Sequence, residues 1–319
     1  MSADVDEDFR NIAIVGLGLI GGSLALAIRE RWPNATIIGV DRPEVLAEAV
    51  ARGIITRDAS SAASLATADI DLIVLAAPVL QNIACLRDLA VATTRPLLVT
   101  DVGSTKQAIV SAGRDAGPCV TFIGGHPIAG AAHAGLAHAR ADLFRGRPWI
   151  FTPAAAAPAG AAPAATGGSI FFAASEDASA SPAASHAAAL GRLRAFVSAL
   201  GAEPAVLSAD EHDRVMAYVS HLPQLVSSAL MRTVGDGVGA AGLALSGPGL
   251  ADTSRLASSP ASVWTDILQS NAGHVREALD ALIADLHTVR DLLDTHAASD
   301  WLDAAARWRA HLRNGTRSE

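Results

Sequence analysis

The sequence has almost no lysine, few cysteines and no long apolar run, and each shortage narrows what the chain can be. Lys and Arg total 24 against 32 Asp and Glu, giving a formal net charge of −8 with no basic cluster. This balance argues against nucleic acid as a partner. The two cysteines, Cys85 and Cys119, are too few for a disulfide framework and suit a reducing cytoplasm.

A membrane segment and a secretion signal are also missing from the sequence. No apolar run reaches the ~18 residues that cross a bilayer, and residues 1–10 are acidic rather than basic. We therefore expect no membrane partner and a cytoplasmic location. Half of the 319 residues are apolar, which at this length favours two packed domains.

The first half of the chain alternates short apolar strands with helical segments. Strands are predicted within residues 11–18, 35–41, 70–78, 95–103 and 118–127. Because these runs are apolar on both faces, they predict an α/β fold with a parallel sheet covered by helices on both sides. Residues 147–153 are expected to add one more strand.

The second half of the chain has a helical pattern, and this change of pattern defines the predicted domains. Residues 1–207 are expected to form a dinucleotide-binding domain and residues 208–319 a helical domain. An Ala/Pro-rich insertion at about 154–187 is expected to be an exposed loop, with a lid as the alternative. Ser208 to Glu211 has the form of a capping box at the start of the helical region.

Two features are predicted within the helical region. Pro223 should kink its helix and free a carbonyl one turn earlier, and Pro260 fits the first turn of a long helix capped by Ser259. That helix carries an apolar seam with alternating steps of three and four, formed by Val275, Leu279, Leu282, Leu286, Val289 and Leu293. The seam needs a partner helix, in this chain or in a second copy.

A glycine motif with Gly16, Gly18 and Gly21 follows the first strand and opens a helix, and Asp41 lies 20 residues beyond Gly21. This context predicts a dinucleotide site with the pyrophosphate at the helix N-terminus and Asp41 on the ribose hydroxyls. The carboxylate favours NAD over NADP, and the adjacent Arg42 weakens that preference. The predicted cofactor-binding residues are Gly16, Gly18, Leu19, Ile20, Gly21, Asp41, Arg42, Ala77 and Pro78.

Ser104 and His126 follow the fourth and fifth predicted strands, at the sheet edge where open α/β sheets bind ligands. A neutral imidazole is suited to take a proton near pH 7, and a neighbouring serine can orient both the imidazole and a substrate hydroxyl. This pair suits oxidation of an alcohol by a nicotinamide. No metal site is predicted, because nothing near His126 resembles a metal ligand.

The order of these motifs resembles the prephenate/arogenate dehydrogenases of tyrosine biosynthesis. The resemblance rests on residues 14–25, 101–106, 124–130, 211–230 and 254–268, and it covers the chain except 154–187. It implies an N-terminal Rossmann domain and a helical domain that binds substrate and forms a homodimer. It also implies NAD-dependent oxidative decarboxylation of prephenate, with hydride leaving the ring carbon that bears the hydroxyl and CO2 leaving the ring.

The resemblance assigns roles to residues of this chain. His126 would accept the proton of the ring hydroxyl, Ser104 would bridge that hydroxyl and His126, and Arg255 would hold a substrate carboxylate. A salt bridge to Asp252 is the alternative for Arg255. The residues expected to face the cleft from the helical domain are Ser220, His221 and Gln224.

Two other residues are interpreted by position. His212 lies nine residues before His221, about half a turn out of phase in a regular helix, so the two should not both face the cleft and His212 is interpreted as structural. Lys106, the only lysine, is expected near the site among the substrate-binding residues, fixing the strand-end loop or a carbonyl beside the nicotinamide. Chance retention is the alternative. His133 and His138 are interpreted as solvated loop residues.

The substrate stays open because the chain departs from its relatives where the substrate side chain is read. Gln224 stands where several prephenate-preferring members have histidine, and Ala131 and Ala132 stand where some carry an acidic residue. Arogenate is therefore an alternative, and 4-amino-4-deoxyprephenate a less favoured one. A β-hydroxyacid dehydrogenase is disfavoured because the helical domain contains no lysine. The alternative from another class is a non-catalytic NAD-binding sensor.

Overall fold

A computed structural model describes residues 9–130, 134–153, 182–293 and 295–312 of the chain. The described residues divide into two compact units, one ending at Asn271 and one beginning at Ala272. The predicted boundary between residues 207 and 208 lies within the first unit, and the division into two domains there stays a prediction. No helix among the described residues is long and apolar enough to cross a membrane.

The first unit is built on an eight-stranded sheet, which confirms the predicted α/β class. Its spatial order is β3-β2-β1-β4-β5-β6-β7-β8, and every pairing is parallel except β6 with β7. The strands are β1 (Asn11–Val15), β2 (Thr36–Val40), β3 (Arg57–Asp58), β4 (Leu72–Leu75), β5 (Leu97–Asp101), β6 (Val120–Pro127), β7 (Pro148–Pro153) and β8 (Glu203–Val206). The strand expected at 147–153 is β7, and its antiparallel direction was not predicted.

Helices cover both faces of this sheet because successive strand side chains point to opposite sides. Ile12 and Ile14 join one buried apolar cluster, while Ala13 and Val15 join the other. The helices of the first unit are α1 (Leu19–Arg31), α2 (Pro43–Ala51), α3 (Val79–Ala92), α4 (Gln107–Arg114), α5 (Pro182–Ala199), α6 (Ala209–Met216), α7 (Leu222–Leu243), α8 (Pro248–Ser254) and α9 (Ala261–Ser270). Helices α1 and α5 pack on the first face, and α3 and α4 on the second.

Part of the segment predicted as an exposed loop is helical. Residues 154–181 lie outside the described residues, together with Ala131, Ala132 and His133. Residues 182–187 form the first turns of α5, so the expectation of a loop there is wrong. The alanine-rich sequence of this segment has high helix propensity, which explains the difference.

Between α6 and α7 the helix changes its winding. The hydroxyl of Ser208 accepts a hydrogen bond from the N–H of Glu211 at 3.1 Å, which confirms the predicted cap of α6. Residues Ala217–His221 form one π turn, closed by the N–H of Leu222 on the carbonyl of Ala217. Pro223 follows directly and can donate no backbone hydrogen bond, so the predicted disturbance takes the form of a π turn.

The second unit consists of α10 (Ala272–Leu292) and α11 (Ala298–Ala310), which contact each other. The single long helix expected from Pro260 is wrong, because Asn271 interrupts it between α9 and α10 with φ −121° and ψ 26°. Much of the predicted seam is open to solvent in one chain: Leu286 is 51% and Leu293 is 70% exposed.

Candidate active site

The glycine loop, residues 16–21, joins β1 to α1 at the carboxyl edge of the sheet. Gly16 has φ +97°, a backbone conformation that favours glycine. A Cβ on Gly21 would lie 1.9 Å from the carbonyl oxygen of Gly16, whereas a Cβ on Gly18 would meet no atom within 4 Å. Gly16 and Gly21 are therefore needed by the fold, and Gly18 keeps an open space beside the first N–H groups of α1, those of Leu19 and Ile20. That space and those donors fit the pyrophosphate of a dinucleotide.

Asp41 stands where the adenosine ribose of such a cofactor would bind. Its Oδ2 accepts the N–H of Leu17 at 2.6 Å and its Oδ1 the N–H of Arg42 at 2.7 Å, so the carboxylate also holds the glycine loop. Each oxygen keeps a lone pair for a ribose hydroxyl. The guanidinium of Arg42 is exposed and lies 3.4 Å from the carboxylate of Glu44, which offsets its charge.

The loop after β4 packs directly on the glycine loop. A Cβ on Gly16 would lie 2.6 Å from the backbone nitrogen of Ala77. The buried amide of Asn82 holds this loop, accepting the N–H of Ala77 at 3.0 Å and donating to the carbonyl of Leu75 at 3.2 Å. Pro78 is exposed at the start of α3. Sequence reasoning missed Asn82, although a polar residue in an apolar helix after a strand end is a usable signal.

The chemical half of the site begins where β5 and β6 end side by side. Asp101, the last residue of β5, is buried, and its Oδ1 accepts the N–H of Gly125 at 3.0 Å. Its Oδ2 accepts the N–H of Gly103 at 2.8 Å and forms an ion pair with Lys106. One carboxylate therefore joins β5, β6 and the loop that carries Ser104.

Lys106 has no accessible side-chain surface. Burial lowers the pKa of its ammonium, and the charges of Asp101 and Asp213 oppose that shift. Because the ammonium is enclosed and paired with Asp101, Lys106 holds the strand-end loop, which is the first of its two predicted roles. The sequence also predicted that Lys106 binds substrate, and the complete burial of its side chain does not agree with that contact.

His126 lies near the end of β6 and contacts a second histidine. Its Nδ1 is 2.9 Å from Nε2 of His212, and the ring centroids are 5.1 Å apart. His126 is half-buried, while His212 is fully buried. The other ring nitrogen of His126, Nε2, forms no hydrogen bond in the described part of the chain, so it is the one available to a ligand.

The carboxylate of Asp213 anchors this histidine pair. Its Oδ1 lies 2.8 Å from Nδ1 of His212 and also accepts the backbone N–H of Lys106 at 2.7 Å. Its Oδ2 accepts the N–H of Gln107 at 2.8 Å. The buried carboxylate thus satisfies donors at the start of α4, where a negative charge is favourable, and holds α6 against the loop of Ser104.

The π turn changes the helical spacing from which His212 was interpreted as structural. Nine residues of regular helix would place His212 and His221 half a turn apart. The π turn at Ala217–His221 takes up one additional residue, so the helix after it is rotated by about 100° relative to that expectation. With this rotation, Nδ2 of Asn271 contacts groups on both sides of the π turn. It donates to the carbonyl of Asp213 at 2.7 Å and lies 3.2 Å from Nδ1 of His221.

His126, His212 and His221 are named here the histidine cluster. Burial lowers the pKa of each of the three rings, well below the usual value for His126 and to about 4 for His221. Lys106, and His212 and His221 when they are themselves protonated, lower the pKa of His126 further because like charges repel. A hydrogen bond to Asp213 opposes the shift at His212. At neutral pH the rings are therefore uncharged, as a proton acceptor requires.

The remaining predicted residues lie around this cluster. Ser104 is half-buried in the loop between β5 and α4, and its hydroxyl forms no hydrogen bond within the described residues. Ser220 is half-buried on the π turn itself. The edge of Trp264 faces the ring of His221, with centroids 6.0 Å apart.

Gln224 links α7 to the 3₁₀ turn Arg255–Ser258. Its Nε2 donates to the carbonyl of Leu256 at 2.9 Å and to the hydroxyl of Ser228 at 3.3 Å. Its Oε1 is buried and has no partner among the described residues. Arg255 is exposed, and no ion pair with Asp252 forms within the described chain, so its guanidinium is available to a ligand.

No group of three His, Cys, Asp or Glu side chains among the described residues could hold a metal ion. The residues that sequence reasoning missed are Asn82, Asp101, His212, Asp213 and Asn271. Asp101 lies inside a predicted motif and ends a strand, so its position was a usable signal. His212, Asp213 and Asn271 each have at least one hydrogen-bond partner from a distant segment, which the sequence does not show.

The chain is similar to known proteins. Two family models match, "Prephenate dehydrogenase, nucleotide-binding domain" over residues 24–163 and "Prephenate dehydrogenase, dimerization domain" over residues 208–305. The prephenate dehydrogenase of Bacillus subtilis (strain 168) is 30% identical over 294 residues, which are 91% of this chain and 71% of that protein.

Two solved structures are similar over nearly the whole chain. Prephenate dehydrogenase from A. aeolicus, in complex with hydroxyphenyl propionate and NAD+, has a TM-score of 0.79 at 26% identity and covers 94% of this chain and 97% of its own. Synechocystis arogenate dehydrogenase has a TM-score of 0.72 at 27% identity, with coverages of 94% and 99%.

Proposed function

Because the chain belongs to the prephenate dehydrogenase family, we propose that it catalyses the NAD-dependent oxidative decarboxylation of prephenate in tyrosine biosynthesis. The products are 4-hydroxyphenylpyruvate, CO2 and NADH. The observation that carries the proposal is Nε2 of His126, which has no partner among the described residues and belongs to a half-buried, uncharged imidazole at the same sheet edge as the glycine loop.

The chain's own residues supply binding and proton transfer. Bound NAD+, held by the glycine loop and Asp41, supplies the hydride acceptor. Nε2 of His126 accepts the proton of the ring hydroxyl, with Ser104 orienting that hydroxyl, and Arg255 binds a carboxylate bidentately. When the bond to the ring carboxylate breaks, its electron pair enters the ring and CO2 leaves. His126 then returns the proton to the ring oxygen, which becomes a phenol, so no net proton is released.

The direct test is NADH formation at 340 nm with prephenate and NAD+. Rapid NADH formation with equimolar CO2 is expected. NAD+ binding without turnover of either prephenate or arogenate would contradict the proposal and favour a non-catalytic sensor. A mass spectrum of the product distinguishes 4-hydroxyphenylpyruvate from an undecarboxylated species.

The preference for NAD over NADP rests on Asp41. A 2′-phosphate would meet this carboxylate, and Arg42 is offset by Glu44. In Asp41→Ser the ratio of kcat/KM for NAD+ to that for NADP+ should fall at least about tenfold, corresponding to ~1.4 kcal/mol. An unchanged ratio would mean that Asp41 only holds the glycine loop.

Arogenate is the second candidate substrate, and one observation favours it. Since Nε2 of Gln224 is committed to Leu256 and Ser228, the amide has only its Oε1 acceptor left. By the family resemblance Gln224 faces the cleft, where an acceptor suits the ammonium of arogenate better than the keto oxygen of prephenate. In Gln224→Leu, kcat/KM for arogenate should then fall more than that for prephenate.

We also propose that the chain works as a homodimer through residues 208–319. The exposed seam of α10 supports this, because apolar helix faces are normally covered. Light scattering on the full chain should give twice the monomer mass, and Leu286→Glu should shift the mass toward the monomer. A monomer at assay concentration would contradict the dimer without affecting the reaction.

A further inference from the structure

We propose that Asp213 and His212 act as a positioning relay that fixes the protonation of His126, so that its Nε2 is always the unprotonated nitrogen when a substrate hydroxyl arrives. The inference rests on the proposed function for its catalytic meaning. The tautomer of His126, which is the structural part of the proposal, can be measured without any substrate.

The relay begins at a carboxylate that can only accept. Both oxygens of Asp213 receive backbone N–H groups, from Lys106 and Gln107. Oδ1 also faces Nδ1 of His212 at 2.8 Å. A lone pair on that nitrogen would oppose the oxygen lone pairs, so Nδ1 of His212 carries the proton and donates it.

The position of the proton on His212 also determines the tautomer of His126. A neutral His212 protonated on Nδ1 presents a lone pair at Nε2, which lies 2.9 Å from Nδ1 of His126. His126 must therefore donate from Nδ1, and its own lone pair is placed on Nε2. Each bond in the series determines the next one, and the last nitrogen is the one that has no partner within the described chain.

The relay also has a role after proton transfer. A proton accepted at Nε2 gives His126 a positive charge in a site where burial and the charge of Lys106 disfavour it. The bond to His212, and through it to the carboxylate of Asp213, stabilises that charge. This is the logic by which a buried aspartate orients and supports the imidazole of a Ser-His-Asp triad, with a second histidine between the carboxylate and the base.

The first experiment needs no substrate and uses a variant only to assign signals. Two-bond 1H–15N spectra of protein labelled with 15N-histidine report which ring nitrogen carries the proton, and His126→Asn identifies the signals of His126. At neutral pH both His126 and His212 should be protonated on Nδ1. Protonation of His126 on Nε2 would overturn the relay, whether or not the chain turns over prephenate.

The second experiment separates the relay from simple packing. His212→Phe keeps the ring volume but removes the acceptor, whereas His212→Gln changes the shape but offers an Oε1 that can accept from Nδ1 of His126. The relay predicts that Gln retains more activity, with kcat reduced about 10-fold against about 10²–10⁴-fold for Phe. A packing role predicts the reverse order, and that order would overturn the proposal.

Asp213→Asn gives a third readout. The amide oxygen of this variant can still accept from Nδ1 of His212, but the negative charge is lost and the NH2 group opposes a backbone N–H of Lys106 or Gln107. The protonated form of His126 then lacks the carboxylate that stabilises it, so kcat should fall about 10²–10⁴-fold with the Kd for NAD+ unchanged. A folded Asp213→Asn protein with the kcat of the parent chain would contradict the relay. His287→Gln, an exposed histidine on α10, is the matched control and should alter none of these measurements.

Discussion

The glycine loop and the histidine cluster lie at the same edge of the sheet, but they are built in opposite ways. The glycine loop is a continuous stretch of six residues whose backbone does the work, with Asp41 as its one distant side chain. The histidine cluster joins side chains from β6, α6 and the π turn, and Asp101, Asp213 and Asn271 hold them in place.

This difference determines how each half can be altered. A backbone site fails when a side chain fills its space, so steric substitutions in the glycine loop affect cofactor binding. A network of buried polar groups fails when one partner is lost, because the remaining groups stay buried without hydrogen bonds. Substitutions in the two halves should therefore separate cofactor affinity from chemistry.

The largest effect is expected for His126→Asn. Loss of the base should lower kcat by about 10²–10⁴-fold, while the Kd for NAD+ stays unchanged because the glycine loop is untouched. Steady-state kinetics and calorimetric titration with NAD+ measure the two quantities. A small loss of kcat, with KM for the substrate unaltered, would remove His126 from its proposed role.

Lys106→Met should have the largest effect on stability. It leaves the carboxylate of Asp101 buried without its cation, which costs about 3–5 kcal/mol of unfolding free energy. Urea denaturation measures it, with Arg232→Met as the control. Arg232 pairs with Asp236 on the surface, at 86% and 79% side-chain exposure, so the control should change stability by less than ~1 kcal/mol. Equal losses of unfolding free energy in both variants would mean that the buried ion pair stabilises the fold no more than the surface pair.

Two alanine substitutions divide the functions of the glycine loop. Gly21→Ala forces its Cβ against the carbonyl of Gly16 and should cost about 1–3 kcal/mol of stability. Gly18→Ala meets no protein atom within 4 Å and should change stability by less than ~0.5 kcal/mol. It should still weaken NAD+ binding, because the methyl group occupies the space proposed for the pyrophosphate. Retained affinity in folded Gly18→Ala would contradict the proposed position of the cofactor.

The smallest effect is on the pH dependence of stability. The pKa of His221 is about 4 in the folded chain and ~6.5 when unfolded, so between these values the unfolded state binds more protons. Stability should therefore fall as pH drops from 6.5 toward 4, by about 1–2 kcal/mol at pH 5 from this residue. Urea denaturation at several pH values should show a shallower slope for His221→Gln than for the parent chain. An unchanged slope would mean that His221 does not contribute.

Local patterns predicted much of the fold and half of the site. The strands, the glycine loop and the position of His126 at a strand end followed from apolar periodicity and from the rule that ligands bind at the carboxyl ends of parallel strands. The role of His212 did not follow, because regular helical spacing was assumed across a π turn. The break at Asn271 was missed for a related reason: the apolar spacing continues through it, and only its hydrogen bonds to Asp213 and His221 show what the break does.

The sequence by itself determined the sheet, the backbone site for a dinucleotide and the presence of a base at its edge, because each depends on residues close together in the chain. Only the tertiary structure decided which nitrogen of that base is available and what holds it there. Those properties depend on hydrogen bonds between Asp213, His212 and His126, and His126 lies 86 residues from His212. The π turn and the packing of α6 against the start of α4 bring these groups together, and neither can be read from a local sequence pattern.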